Sequence, residues 1–115
     1  LLVATMLGDL IIVPIVKWVI HSPRPTNEII VETGFSFPSG HATSTVVLLG
    51  LLTYLIWQHF KSRNVKILLS VLFILISLLV GFSRIYLNVH WLSDVLGAYS
   101  LGIFWVTFCI LASRL

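Results

Sequence analysis

Four apolar runs, separated by polar breaks of unequal length, set the pattern of this chain. The first extends from Leu1 to about Ile20 and is interrupted by Asp9 and Lys17. The second covers Ala42 to Gln58 without a charge, the third Ile67 to Ser83, and the fourth Val95 to Ser113, again uncharged. A helix that crosses a bilayer needs roughly 20 mostly apolar residues, within a range of about 17–25, and all four runs qualify once their flanks are counted. Runs this continuous cannot close into a barrel, so the predicted elements are helices. The expected fold is all-α, a polytopic transmembrane helical bundle with four spans.

The breaks differ in kind. Residues 21–40 read as a loop rich in Pro, Gly and Ser, with Pro23 and Pro25 ending the first helix. Residues 59–66 read as a short basic turn and 84–90 as a short link. Lys61, Arg63 and Lys66 in the turn predict a cytoplasmic side, which Arg114 shares after two more spans. The 21–40 loop and the 84–90 link then fall together on the extracytoplasmic side. Trp18, Tyr86 and Trp91 are expected near that outer interface, Tyr54 and Trp57 near the inner one, as an aromatic belt without catalytic duty.

Composition sharpens this reading. Of the 115 residues, 58% are hydrophobic and 10% charged, with a mean hydropathy of +1.07, where a soluble domain carries about 25% charged residues. The net charge of +3 does not mark a nucleic-acid patch, because Lys61, Arg63 and Lys66 belong to the turn between two spans. Cys109, the single cysteine, lies inside an apolar run and reads as a small buried hydrophobe. Because the sequence opens on Leu1-Leu2-Val3, already within an apolar run, it is read as part of a longer protein, all of residues 1–115 belonging to one membrane-embedded domain.

The polar residues that remain fall into three ordered clusters, Lys17 with Arg24-Pro25, Pro38-Ser39-Gly40-His41, and Ser83-Arg84 with His90 and Asp94. In an alternating four-span bundle all three reach the same membrane face. Each has a bland reading as well as a chemical one. Ser39 serves equally as a helix N-cap or as part of a phosphate cradle at a helix N-terminus. The four-residue spacing of His90 and Asp94 predicts one helical face, where a carboxylate can hold an imidazole in one tautomer, or where the two form a buried structural pair. Lys17, Arg24 and Arg84 can snorkel to the interface, although positive charge on the outer side calls for a bound anion. His21, His41, His59 and His90 lack zinc-ligand spacing, and Glu28 and Glu32 read as loop surface, so no metal or other cofactor is expected. Asp9 has no assignment beyond facing the bundle interior.

Taken together, the clusters resemble the signature of the type 2 phosphatidic acid phosphatase family: Lys, six residues, Arg-Pro; then Pro-Ser-Gly-His; then Ser-Arg, five residues, His, three residues, Asp. Every fixed position is present and in order across residues 17–94. The resemblance implies His90 as a nucleophile forming a phosphohistidine, Asp94 as its orienting partner and His41 as general acid. It implies Lys17, Arg24, Ser39, Gly40 and Arg84 as the phosphate-binding set. Membrane members of that family usually have six spans, so the two not seen here would precede residue 1. The implied activity is metal-independent hydrolysis of a lipid phosphate or diphosphate, and the short connections are similar to those of compact bacterial members. Undecaprenyl pyrophosphate and phosphatidylglycerol phosphate are the expected substrates. A lipid phosphotransferase using the same histidine, or a non-enzymatic lipid-phosphate binder, is the alternative; the related haloperoxidases are soluble and do not fit four spans.

Overall fold

The computed structural model describes residues 1–27, 29–30 and 34–115. It contains four helices, α1 (Leu2–Ile20), α2 (Gly40–His59), α3 (Arg63–Tyr86) and α4 (Leu92–Ser113). At 1.5 Å per residue, the shortest of them (19 residues) is about 28 Å long, close to the hydrocarbon thickness of a bilayer. The protein is thus an all-α bundle whose four helices are all long and apolar enough to span a membrane. Among the described residues, Glu28 and Glu32 are not included, and the loop-surface expectation for them lies outside the description.

Burial is shared between apolar side chains such as Val47, Leu51 and Ala98 and an unusual number of polar ones. The buried set includes Thr5, Asp9, Ser36, Ser39, Thr43, His90 and Asp94, while Leu, Ile, Phe and Trp side chains cover the outside. Lipid tails are as apolar as leucine, so nothing drives leucine inward, and polar groups are what the bundle must hide. α2 is the central helix and contacts α1, α3 and α4. It approaches α4 closely at Gly102, where a Cβ would press on the Val46 side chain and come within 3.4 Å of the Thr43 carbonyl. Small residues at such crossings let backbones meet. Trp105 Nε1 donates to the Thr5 carbonyl at 2.9 Å, and Tyr99 Oη to the Ser77 carbonyl at 2.8 Å, tying α4 to α1 and to α3.

α1 matches its apolar run, whereas α2, α3 and α4 each run further than theirs. α1 ends at Ile20 with His21 in the left-handed region (φ 56°), its N–H returning to the Lys17 carbonyl, so Pro23 and Pro25 follow the end and do not cause it. Pro14 lies inside α1. The basic turn shortens to residues 60–62, because Ser62 caps α3 by accepting from Val65 N at 3.3 Å. Arg63 and Lys66 therefore belong to the first turn of α3. At the other end of α3, Ser83 and Arg84 are helical, and the link contracts to residues 87–91.

Candidate functional site

One end of the bundle gathers the end of α1, the start of α2, the end of α3 and the start of α4. The loop between α1 and α2 is folded down onto this end by its own polar groups. Ser36 N donates to the Ser22 carbonyl at 2.8 Å, and Ser36 Oγ to the Pro23 carbonyl at 3.0 Å. Trp91 Nε1 donates to that same Pro23 carbonyl at 2.9 Å, which gives a residue expected only at the interface a definite loop-anchoring contact. Phe37 lies against Gly97 of α4, where any Cβ would meet its ring.

Within this frame a cavity of about 430 Å³ is lined by Lys17, Arg24, Gly40, His41 and His90, and continues past Ser44, Thr45 and Pro14 to Asp9. Both histidines of the sequence clusters thus face one space, with two of the three expected cations. The third, Arg84, reaches the rim: its Nη1 is 3.4 Å from His41 Nδ1. Lys17 Nζ donates to the Phe35 carbonyl at 2.8 Å. Arg24 is held by the Gly34 carbonyl (Nε, 3.1 Å) and the Val89 carbonyl (Nη1, 2.9 Å). None of the three cations stretches away to the interface as a snorkelling side chain would.

The Arg24 contact also fixes the state of His90. Arg24 Nη1 lies 3.2 Å from His90 Nε2. A guanidinium only donates, so Nε2 must offer its lone pair and the ring proton sits on Nδ1. That Nδ1 is 3.4 Å from Asp94 Oδ2. His90 is 4% exposed; burial holds its pKa below the ordinary imidazole range, the charges of Arg24 and Lys17 push the same way, and Asp94 opposes them. The outcome is a neutral imidazole with its lone pair on the cavity side.

One expectation needs correction. His90 and Asp94 do not share a helical face: His90 lies in the link, with α4 beginning only at Leu92. Their proximity comes instead from helix capping. Asp94 Oδ2 accepts from Trp91 N at 2.7 Å, and this turn folds the preceding imidazole back over the carboxylate. Ser39, in turn, is fully buried and its Oγ accepts from Ala42 N at 3.3 Å. It is an N-cap in a β conformation at the head of α2, while Gly40 and His41 line the cavity. Ser39 N donates to the Asp94 carbonyl at 3.2 Å, so the two caps lock α2 and α4 together directly behind the site.

The remaining histidines stay apart from this space. His21 caps α1, its Nδ1 beside the Trp18 carbonyl and its ring over Phe35, and His59 ends α2 at the opposite end of the bundle. Among the described residues no three His, Cys, Asp or Glu side chains converge as a metal-ligand set. A second cavity, about 310 Å³ between α2, α3 and α4, is lined by apolar side chains with Thr53, Ser77 and Tyr99, and contains no charged group.

Sequence reasoning left Asp9 unassigned and missed Ser44. Asp9 is 1% exposed and accepts from Ser44 Oγ at 2.6 Å. The signal was present: Thr5, Asp9, Val13 and Lys17 recur every four residues, and the first three are the buried positions of α1.

Comparison with known proteins agrees with this geometry. Over 74 residues the chain is 40% identical to phosphatidylglycerophosphatase B of Bacillus subtilis, covering 63% of this chain and 36% of that protein. It is 33% identical over 115 residues to an undecaprenyl-diphosphatase of Sulfolobus acidocaldarius, covering 92% of this chain and 48% of the relative. The crystal structure of a transmembrane PAP2 type phosphatidylglycerolphosphate phosphatase from Bacillus subtilis superposes with a TM-score of 0.90 at 29% identity, covering 98% of this chain and 57% of the other. The chain therefore spans between about a third and a half of the length of these curated relatives. The model of the PAP2 superfamily matches residues 1–114, and this four-helix chain belongs to that superfamily.

Proposed function

We propose that the protein is an integral-membrane lipid phosphate or diphosphate phosphatase that works through a phosphohistidine without a metal. The observation that carries the reading is the convergence of Lys17, Arg24, His41 and His90 on one cavity, with Arg24 holding the His90 Nε2 lone pair at 3.2 Å. An anion entering between the cations takes over the Arg24 hydrogen bond and leaves Nε2 facing phosphorus.

The chemistry then runs in two balanced steps. His90 Nε2 attacks phosphorus, a P–N bond forms, the P–O bond to the lipid breaks, and His41, acting as an imidazolium, protonates the departing oxygen and becomes neutral. The positive charge that develops on the His90 ring is met by Asp94, across a gap that closes with a small rotation of the imidazole; such contacts often tighten only once substrate is bound. Water next attacks the phosphohistidine and gives a proton to the now neutral His41, the P–N bond breaks, His90 returns to its neutral state and inorganic phosphate leaves. Lys17, Arg24 and Arg84 stabilise charge on the equatorial oxygens, together with the backbone N–H groups at the Ser39-capped start of α2. Three cations supply the electrostatic stabilisation for which other phosphatases use metal ions.

The site lies at the end of the bundle away from Lys61, Arg63 and Arg114, and the orientation rule assigns it to the extracytoplasmic face of a cell membrane. The names of the relatives favour phosphatidylglycerol phosphate or an undecaprenyl diphosphate as substrate.

The test is phosphate release by the full-length protein in lipid, with and without a chelator and vanadate, plus an acid-quenched single turnover on substrate labelled in the terminal phosphate. We expect chelator-resistant, vanadate-blocked hydrolysis and an acid-labile, base-stable label on the protein that His90→Asn abolishes. A strict magnesium requirement, or label retained in His90→Asn, overturns the mechanism.

A further inference from the structure

The catalytic cluster occupies only the upper part of its cavity. Below it, Ser44 follows Gly40 by four residues on α2, which at 1.5 Å per residue sets it about 6 Å deeper. There Asp9 meets it, and both line the same cavity as His90 and Arg24. Asp9 is 1% exposed, and although its Oδ2 accepts from Ser44, its Oδ1 is buried with no hydrogen-bond partner. Buried polar atoms are nearly always satisfied, so an orphan on a residue that lines a cavity points to a partner still to be supplied.

Among the residues that line the cavity the hydroxyl donors at this depth are already spent; Thr5 Oγ1, one turn from Asp9 on α1, is also buried without a partner but is not part of the lining. Ser44 Oγ gives its hydrogen to Asp9, and Thr45 Oγ1 gives its hydrogen to the His41 carbonyl at 2.7 Å. Pro14, which also lines the space, has no N–H to give the Leu10 carbonyl one turn earlier. Acceptor capacity is in excess, and what fits is a hydrogen-bond donor.

We propose that Asp9 and Ser44 form a head-group subsite that accepts a hydroxyl carried on the lipid side of the scissile phosphate. The inference rests on the phosphatase reading above, since it takes the cations at the cavity mouth as the phosphate end. An alcohol on the carbon next to the ester carbon falls within about one helical turn of the phosphorus, which is the offset between the start of α2 and Ser44. To Asp9 in its carboxylate form a second phosphate at that position offers only oxygen lone pairs, acceptor against acceptor. The subsite therefore favours a glycerol-type phosphomonoester over a diphosphate. A pocket that hydrogen-bonds a substrate hydroxyl discriminates strongly against the analogue without it, because its own buried atom is then left unpaired.

The experiment uses the full-length protein in lipid nanodiscs with three substrates: phosphatidylglycerol phosphate, its analogue lacking the head-group hydroxyl, and farnesyl diphosphate. Binding of non-hydrolysable phosphonates with and without the hydroxyl is measured in parallel. The parent should prefer the hydroxylated lipid over its deoxy analogue by about tenfold or more in kcat/KM, and the hydroxylated phosphonate by a similar factor in Kd. Asp9→Asn keeps the shape and the Ser44 contact but turns an amide N–H₂ toward the cavity. In it the preference should collapse to about unity, and the ratio of diphosphate to monoester turnover should rise. Asp9→Leu should lose the preference as well.

Hydrolysis without any hydroxyl preference overturns the subsite and spares the phosphatase reading. So does an Asp9→Asn variant whose three rates fall by one common factor, which means a positioning role or a bound water only. A phosphonate preference in a protein that hydrolyses nothing upholds the subsite and overturns the phosphatase reading.

Discussion

The two ends of the bundle carry similar numbers of basic side chains and treat them in opposite ways. Lys17, Arg24 and Arg84 lie at one end, Lys61, Arg63, Lys66 and Arg114 at the other. At the first end the cations are half-buried and turned inward, onto the Phe35, Gly34 and Val89 carbonyls and onto two imidazoles. At the second, Lys66 lies over the Trp57 ring at 5.3 Å and Arg114 over the Tyr54 ring at 5.6 Å, while Lys61 and Arg63 are exposed. Contacts of that second kind are worth about 0.5–1 kcal/mol each and leave the charge in solvent. A basic residue at a span end is thus either a topology marker or a ligand, and the partner it points at decides which.

The contrast is broken most directly at its histidines. His90→Ala removes the proposed nucleophile and should lower turnover at least about 10⁴-fold, the scale seen when a nucleophile is lost from a coupled site. His59→Ala, at the other end, should change turnover less than about twofold. Comparable losses in both would mean that the chemistry does not depend on the cavity. Next come the cations. Arg24→Ala withdraws a charged donor from the phosphate site and should cost about 10²–10³-fold in kcat/KM, whereas Arg63→Ala should stay within about twofold. Arg24→Lys restores charge but not the fork whose Nε reaches Gly34 while Nη1 reaches Val89 and His90, so a full recovery by lysine would reduce Arg24 to a generic positive charge.

The same contrast explains what could be read from the sequence. Spans were legible because lipid imposes a run length, and the site because its motif spacing is long and ordered. Helix ends were not. Apolar runs stop where polar residues begin, but α3 continues through Ser83 and Arg84, and α2 begins at Gly40, because capping and site groups need helical backbone to be aimed. The His90–Asp94 pair was found for the wrong reason: its four-residue spacing suggested a shared helical face, and the actual cause is the Trp91–Asp94 capping turn. Asp9 stayed unassigned because its partner, Ser44, lies 35 residues away on a helix face that only packing could identify.

Packing supplies a smaller effect. A Cβ at Gly97 would run into the Phe37 ring, next to the Pro38-Ser39 cap, whereas a Cβ at Gly50 would meet Val106 at an ordinary 3.7 Å. Gly50→Ala should be neutral or stabilising by up to about 1 kcal/mol, since alanine favours the helix. Gly97→Ala should destabilise by about 1–3 kcal/mol through overpacking and lower activity by shifting the Ser39 cap. Thermal unfolding in a fixed detergent checks both, and equal Tm changes in the same direction would show the Phe37 contact to be slack.

The smallest expected effect is a shift of a pH profile, and its sign is what carries information. With His90 as the nucleophile in its neutral form, kcat/KM falls as pH drops through a pKa held below 6.5 by burial, Arg24 and Lys17, against the opposing pull of Asp94. Lys17→Met removes one of the charges that depress it, so the acid limb should move to higher pH. Asp94→Asn removes the group that raises it, so the limb should move to lower pH. Comparing variants on one substrate cancels the titration of the phosphate itself. The same linkage reaches stability: the unfolded chain takes up the His90 proton first, so the contribution of neutral His90 is complete above about 6.5 and is lost as pH falls toward the folded pKa. His59→Gln should leave the limb in place. Shifts of one sign in both Lys17→Met and Asp94→Asn would mean that the acid limb belongs to another group, and His90 would lose its claim to attack phosphorus.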